Sequence, residues 1–283
     1  MTLTDPIAVI ADIHGNALAL AAVLADIDRL GIGQVVNLGD VFSGPLDPAG
    51  VWALLRGRDF PTVRGNHDRY LIDMAPDQMG PTDRVTHAAL PETALAWIRG
   101  LPAALSWEGI YACHATPADD NLYWTEEVTD GAVRLAPRAV IEARAEGIDA
   151  GLILYAHTHL PRVLRLSGGR LLVNPGSVGC PGYTDERPEP HVVQTGTPLA
   201  SYVVVTGGLA GDGDRFERTW ILRDGRTVPG AISAVGLYGD QVRIGHGSKG
   251  GWDIFGPERV VTRSAGNVLY EVDGRPALAL YKE

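Results

Sequence analysis

Apolar and polar positions follow two rhythms through residues 1–205. IAVIA (7–11) is a short apolar run of the kind that predicts a buried strand. After DIHGN, the apolar residues Leu20, Val23, Leu24, Ile27 and Leu30 recur at helical spacing, with Asn16 placed as N-cap and Gly31 as a stop. QVVNLGD (34–40) reads as a strand ending in Gly-Asp, a helix fits about 48–56, and PTVRGNHD (61–68) reads as a strand running into a polar motif. Further along, 91–101 reads as a helix, 104–107 and 109–114 as neighbouring strands, and 137–147 as a helix. Residues 151–159 form a strand ending in two histidines, 162–177 a hairpin with a Ser-Gly-Gly turn, and 201–205 one more strand. This alternation predicts α/β layering.

The polar motifs fall at one kind of place. Asp12, Asp40, Asn66, His114 and His157 each follow the C-terminal end of an apolar strand. Ligands of open α/β sheets collect outside those ends, so distant segments are expected to converge there. With His14 and His159 the set comprises carboxylates, imidazoles and an amide, a mixture suited to Mn²⁺, Fe²⁺/³⁺, Zn²⁺ or Ni²⁺. Without cysteine ligands, a structural zinc site is disfavoured. Each fragment alone is weak evidence: Asp-x-His is usually a turn or a surface pair, and Asn-Pro-Gly-Ser (174–177) is by itself a turn. On a regular strand the imidazoles of His157 and His159 would point the same way, although that segment also reads as a loop.

Composition narrows the function classes. Residues 1–205 hold 24 acids and 14 arginines (−10), whereas 206–283 hold 10 acids and 10 bases, for a net charge of −10. An acidic head argues against general nucleic-acid binding and suits a site that holds cations, although acidity also serves solubility alone. With no apolar run of membrane length, no membrane partner is expected. MTLTDPIAVIADIHGN lacks a basic n-region, and Cys113 and Cys180 make no disulfide framework, so a cytoplasmic setting is predicted.

The ordered set DIHGN, GD, GNHD, His114 and AHTH, followed by NPGSVG, resembles the calcineurin-like metallophosphoesterases of the bacterial phosphodiesterase branch over about 5–205. The resemblance implies a four-layer fold, two mixed β-sheets in a sandwich flanked by helices. It implies a first metal on Asp12, His14 and His159, a second on Asn66, His114 and His157, and Asp40 bridging them. Manganese is the first candidate for the two divalent ions, with iron, zinc or nickel as alternatives. A hydroxide bridging the ions would attack the phosphorus of a small phosphate ester in line. His67 would assist the leaving group, Asp68 would orient His67, and Gly65 would allow the turn. Where the family usually has glycine this chain has Ala115 and Ala156, which predicts backbone strain if φ is positive there. Arg64 and Arg69 flank the motif and are expected to make surface ion pairs rather than to bind phosphate. His87, His191 and His246 match no ligand position.

The segment 206–283 is glycine-rich, with 15 of the 35 glycines, and resembles part of the N-terminal portion of FIST sensory domains. FERTWILRDGRTVPG predicts a hairpin around Asp224-Gly225, QVRIGH and ERVVTR predict strands, and a helix is expected to start at Pro276. The chain is thus expected to divide into a phosphoesterase domain (1–205) and a mainly β, partial FIST-like segment (206–283), with two alternatives for the latter: docking on the head with FERTWILR supplying a sheet edge, or staying loosely folded. A second functional reading follows: a sensory or ligand-binding module on an inactive phosphoesterase-like scaffold.

Overall fold

A computed structural model describes residues 6–205 except 108, the strands at 210–211, 219–223, 226–229 and 235–237, and 261–276 except 266–267 and 273. In chain order the elements are β1 (Ile7–Ile10), α1 (Ala17–Arg29), β2 (Gln34–Asn37), α2 (Pro48–Leu55), α3 (Asn66–Asp73), α4 (Pro81–Ala89) and α5 (Glu92–Arg99). Then follow β3 (Ala104–Trp107), β4 (Ile110–Cys113), β5 (Glu126–Thr129), β6 (Ala132–Leu135), α6 (Arg138–Arg144), β7 (Leu152–Leu154), β8 (Arg162–Arg165) and β9 (Leu171–Asn174). The hairpin strands β10 (Gly182–Asp185) and β11 (His191–Gln194) precede β12 (Val203–Val205).

Contacts divide the chain into two compact units, Met1–Val242 and Arg243–Glu283. The first unit carries two mixed sheets. One is ordered β16-β12-β1-β2, where β16 is Val235–Leu237; its β1 and β2 run parallel and its other pairs antiparallel. The other is ordered β3-β4-β7-β9-β8, with parallel pairs in the middle and antiparallel edges.

Period-two alternation builds three apolar layers from these two sheets. Ile7, Val9 and Ala11 meet Ala112, Leu154, Ala156 and Val173 between the sheets. Ala8 and Ile10 point the other way, into the helical layer with Leu20, Leu24, Ile27, Val51 and Ile98. On the far side Cys113, Ile153, Tyr155 and Leu172 pack against Ile141 of α6 and the fully buried Trp124. The result is the expected sandwich of two mixed sheets between helical layers.

Several expectations shift. The strand predicted at 61–64 reduces to a single bridge between Asn37 and Thr62, since Pro61 has no N–H to extend a ladder. GNHD opens α3 rather than closing a strand, and α4 follows in a stretch with too few apolar residues to show helical spacing. The hairpin β14 (Thr219–Arg223) and β15 (Arg226–Pro229) forms with Arg223 opposite Arg226, beside β13 (Ala210–Gly211). FERTWILR does not supply the sheet edge: β14 pairs within that small sheet, and β16 takes the place beside β12. QVRIGH and His246 lie outside the described residues. The second unit contains an antiparallel sheet of β17 (Val261–Ala265), β18 (Val268–Val272) and β19 (Arg275–Pro276), which places Pro276 in a strand; the helix expected to start there would occupy 277–283, outside the described residues.

Candidate metal centre

The strand ends converge as two triads. Ligand atoms of Asp12, His14 and His159 lie within 4.8 Å of one another, as do those of Asp40, His114 and His157. Asp40 Oδ2 lies 3.7 Å from His14 Nε2 and 3.3 Å from His114 Nε2, which places this carboxylate between the groups. Asn66 Oδ1 lies 3.1 Å from His114 Nε2 and so joins the second group. His157 and His159 do not point the same way. They lie beyond the end of β7 with φ of 70° and 59°, outside regular strand geometry, and go to different triads.

Backbone strain marks the site. Among the described residues, six non-glycine residues have positive φ, and five of them are Asp12, His14, Asp40, His157 and His159. Each such conformation costs about 1–3 kcal/mol and persists only where its surroundings over-determine it. Ala115 and Ala156 are not among the six, so alanine carries no strain there.

The NPGSVG turn supplies part of that determination. Ser177 Oγ donates to the Asp12 carbonyl at 2.7 Å, and the amides of Val178 and Gly179 donate to the Ala11 and Asp12 carbonyls. Asn174 Nδ2 donates to the Ala156 carbonyl and to Thr158 Oγ1. Asn174 and Ser177 therefore fasten the first and last ligand segments together, a role hidden in sequence because both act through backbone atoms far along the chain.

Gly65 has a different task from the one expected. Its φ of −84° suits any residue, but a Cβ there would lie 2.1 Å from Asp40 Oδ1. The glycine lets the Asp40 carboxylate approach the chain.

Four imidazoles are oriented by main-chain carbonyls. His14, His114 and His159 donate from Nδ1 to Ser43, Leu38 and Cys180, at 2.7, 2.8 and 2.7 Å. His157 donates from Nε2 to Asn121 at 3.1 Å. For His14, His157 and His159 this fixes the tautomer and turns the other nitrogen's lone pair toward the site, the arrangement metal-binding histidines show. His114 Nε2 instead donates to Asn66 Oδ1 and faces Asp40, and although burial lowers its pKa, Asp40 above all carries it up to about 10. Burial, above all, lowers the pKa of His14 and His159, and holds His157 down at about 4. These three rings are neutral and ready to ligate.

Two observations test the fit to cations. Asp12 is fully buried, and neither of its carboxylate oxygens has a hydrogen-bond partner. Burial, chiefly, and the Asp40 charge push its pKa well up. Such a group is strongly destabilising unless an opposite charge meets it. Further, His14 Nε2 and His159 Nε2, both bearing lone pairs, lie 3.1 Å apart, a repulsion that a cation between them would remove. For Asp40, burial raises the pKa, but His114, His67 and His14 outweigh it and hold the carboxyl well below the usual range. The donors present fit two divalent ions.

Asp68 does not hold His67. Its oxygens accept from the amides of Asp40, Val41 and Gly65 at 2.8, 3.0 and 3.0 Å. Being at the third position of α3, it ties back to the helix start and to the Asp40 loop. His67 Nδ1 instead donates to Asp83 Oδ1 of α4 at 2.8 Å. Burial lowers the His67 pKa, yet Asp83 and Asp40 carry it up to about 9. Sequence reading missed Asp83; its signal is the Gly80-Pro81-x-Asp83 helix start, with proline at the first position and an acid at the third. The Arg69 guanidinium is engaged by Asp120 through two bonds of 2.7 Å.

Fold and site together define a metal-dependent phosphoesterase. Residues 6–197 match the calcineurin-like phosphoesterase superfamily domain, and the chain belongs to that family. Residues 185–275 match the FIST N domain, which overlaps the first match and begins ahead of the composition change at 205/206. The "uncharacterized protein MJ0912" of Methanocaldococcus jannaschii is 29% identical over 198 residues, covering 62% of this chain and 76% of that protein. A metallophosphoesterase from Sphaerobacter thermophilus superposes with a TM-score of 0.54 at 25% identity, over 71% of this chain and 83% of that one. The hypothetical protein PH1004 of Pyrococcus horikoshii OT3 shares the fold, with a TM-score of 0.50 at 22% identity over 67% and 87% of the two chains. No helix among the described residues is long and apolar enough to cross a membrane.

Proposed function

We propose that the chain is a two-metal phosphodiesterase acting on a small phosphate ester, with manganese as the first candidate ion. The observation that carries this reading is the partnerless, fully buried Asp12 carboxylate in one triad, with Asp40 leading to a second. Asp12, His14 and His159 would hold one ion, Asn66, His114 and His157 the other, and Asp40 would serve both. When bound, such ions clamp a phosphoryl group, share its charge and lower the pKa of bound water.

The chain's own residues supply the rest. Asp83 fixes the His67 ring through Nδ1 and favours its protonated form, leaving Nε2 free to donate a proton to the leaving oxygen. His67 is about one-third exposed, which keeps it open to substrate. Asp68 acts indirectly, binding the Asp40 loop to the start of α3 so that Asp40 and His67 keep their spacing. The excess of acids over bases supports a small-molecule substrate over nucleic acid.

The FIST N match favours a second reading, a ligand-sensing module whose phosphoesterase part is scaffold. One experiment separates them. Metal-stripped protein is assayed on bis(p-nitrophenyl) phosphate and on p-nitrophenyl phosphate, with and without Mn²⁺. Mn²⁺-dependent turnover of the diester that Asp40→Ala abolishes supports the hydrolase. A folded sample inert with every divalent ion supports the sensor.

A further inference from the structure

Two tyrosines cover the pair of histidines that divides between the triads. The Tyr183 ring lies 4.7 Å from that of His159, and the Tyr123 ring 5.3 Å from that of His157, centroid to centroid. Their hydroxyls meet at 2.7 Å, and Tyr123 Oη lies 2.8 Å from His191 Nε2. The neutral ring gives this chain one polarity. His191 Nδ1 lies 2.7 Å from the Glu189 carbonyl and donates to it, which in the neutral imidazole leaves Nε2 as an acceptor. Tyr123 therefore donates to His191, and Tyr183 donates to Tyr123. Tyr123 and His191 are buried, so these bonds do not compete with bulk water.

Resting on the two-metal reading, we propose that Tyr183, Tyr123 and His191 are positioning residues that set the separation of the two metal sites. Tyr183 and His191 sit on the β10–β11 hairpin, whereas Tyr123 sits in the loop whose Asn121 carbonyl accepts from His157. The hydroxyl chain joins these two segments across His157 and His159. Those histidines are separated by Thr158, both at positive φ, and belong to different triads. Strained backbone needs outside contacts to stay in place, and each ring here has one on its tyrosine. The hairpin also delivers the Cys180 carbonyl that accepts from His159 Nδ1, so its attachment bears on ring contact and tautomer together.

The test reads metal affinity on the full chain, independent of turnover. Mn²⁺ binding to metal-stripped protein is followed by the electron paramagnetic resonance of free Mn²⁺, for wild type, Tyr123→Phe, Tyr183→Phe, His191→Phe and His191→Gln. Wild type is expected to bind two ions. Tyr123→Phe and His191→Phe are expected to weaken binding about 10–100-fold, the usual loss when a residue behind a metal ligand is changed. His191→Gln, which still accepts from Tyr123 and donates to Glu189, is expected to restore affinity. A role in packing alone would favour His191→Phe, the closer match in ring shape, over His191→Gln. Should Tyr123→Phe not fold, Tyr183→Phe, at a half-buried hydroxyl, decides by the same readout. Two ions on wild type with unchanged affinity in the phenylalanine variants overturns this inference alone. Fewer than two ions on wild type overturns the two-metal reading beneath it.

Discussion

His67 Nδ1 and Asp83 Oδ1 lie 2.8 Å apart, a pairing between the first turns of two consecutive helices. Asp83 is buried and His67 is not, so the bond aims the imidazole outward from a fixed base.

His67→Ala is expected to keep both ions and lose about 10²–10⁴-fold in kcat, the range for a missing general acid. Asp83→Asn retains shape and a hydrogen-bond acceptor but removes the charge favouring protonated His67; a smaller loss of kcat is expected, with KM little changed. Steady-state kinetics beside a metal count check both. Loss of the ions from His67→Ala would place it among the ligands instead.

Asp12→Asn removes a fully buried carboxyl that accepts no hydrogen bond and whose ionised form burial disfavours. Without metal, the variant is expected to melt several degrees above wild type, since uncompensated buried charge is destabilising. Added Mn²⁺ is expected to raise the melting temperature of wild type much more than that of the variant. Thermal scans with chelator and with Mn²⁺ measure both; a lower metal-free melting temperature for Asp12→Asn contradicts the account.

Asp68→Ala withdraws the acceptor from three backbone amides at once. An orphaned buried donor costs about 1–3 kcal/mol, so urea denaturation is expected to show a loss at or above the top of that range. Asp68→Ala with near-native stability would show that these amides find other partners.

Tyr202 Oη donates to Asp26 Oδ2 at 2.5 Å, linking the residue beside β12 to α1. The bond, with Arg29 helping, lowers the Asp26 pKa. A depressed carboxyl pKa contributes stability above the unfolded value, about 3.9, and loses it as pH falls through the folded value. Tyr202→Phe is therefore expected to cost about 1 kcal/mol at neutral pH and progressively less in acid. Denaturant midpoints at pH 7 and pH 3 test this; a pH-independent difference would assign the effect to packing.

Much of this molecule was legible before its structure. Strand ends appear in sequence as apolar runs that break into Asp, Asn or His, and those breaks are the site. What stayed hidden acts across distance or through backbone. Asp83 was missed because α4 has too few apolar residues to show a period. The β5–β6 hairpin was missed although Asp130-Gly131, both at positive φ, is a strong turn signal. Ser177 and Asn174 read as a turn, yet their side chains hold peptide groups of other segments. FERTWILR and Val235–Leu237 are both short apolar strands, and nothing local says which one completes the sheet.

β1 has apolar neighbours on both faces, Ile7 and Val9 on one and Ala8 and Ile10 on the other. A strand with one wet face resists slipping by a residue, because the slip exposes its apolar set. Here the slip would exchange one greasy surface for another, at a cost in shape but little in water contact. The frame is instead anchored at the strand's end, where Asp12 meets His14 and His159. When relatives are aligned, hydrophobicity will therefore tolerate a one-residue offset through this strand, and the aspartate should be the fixed point.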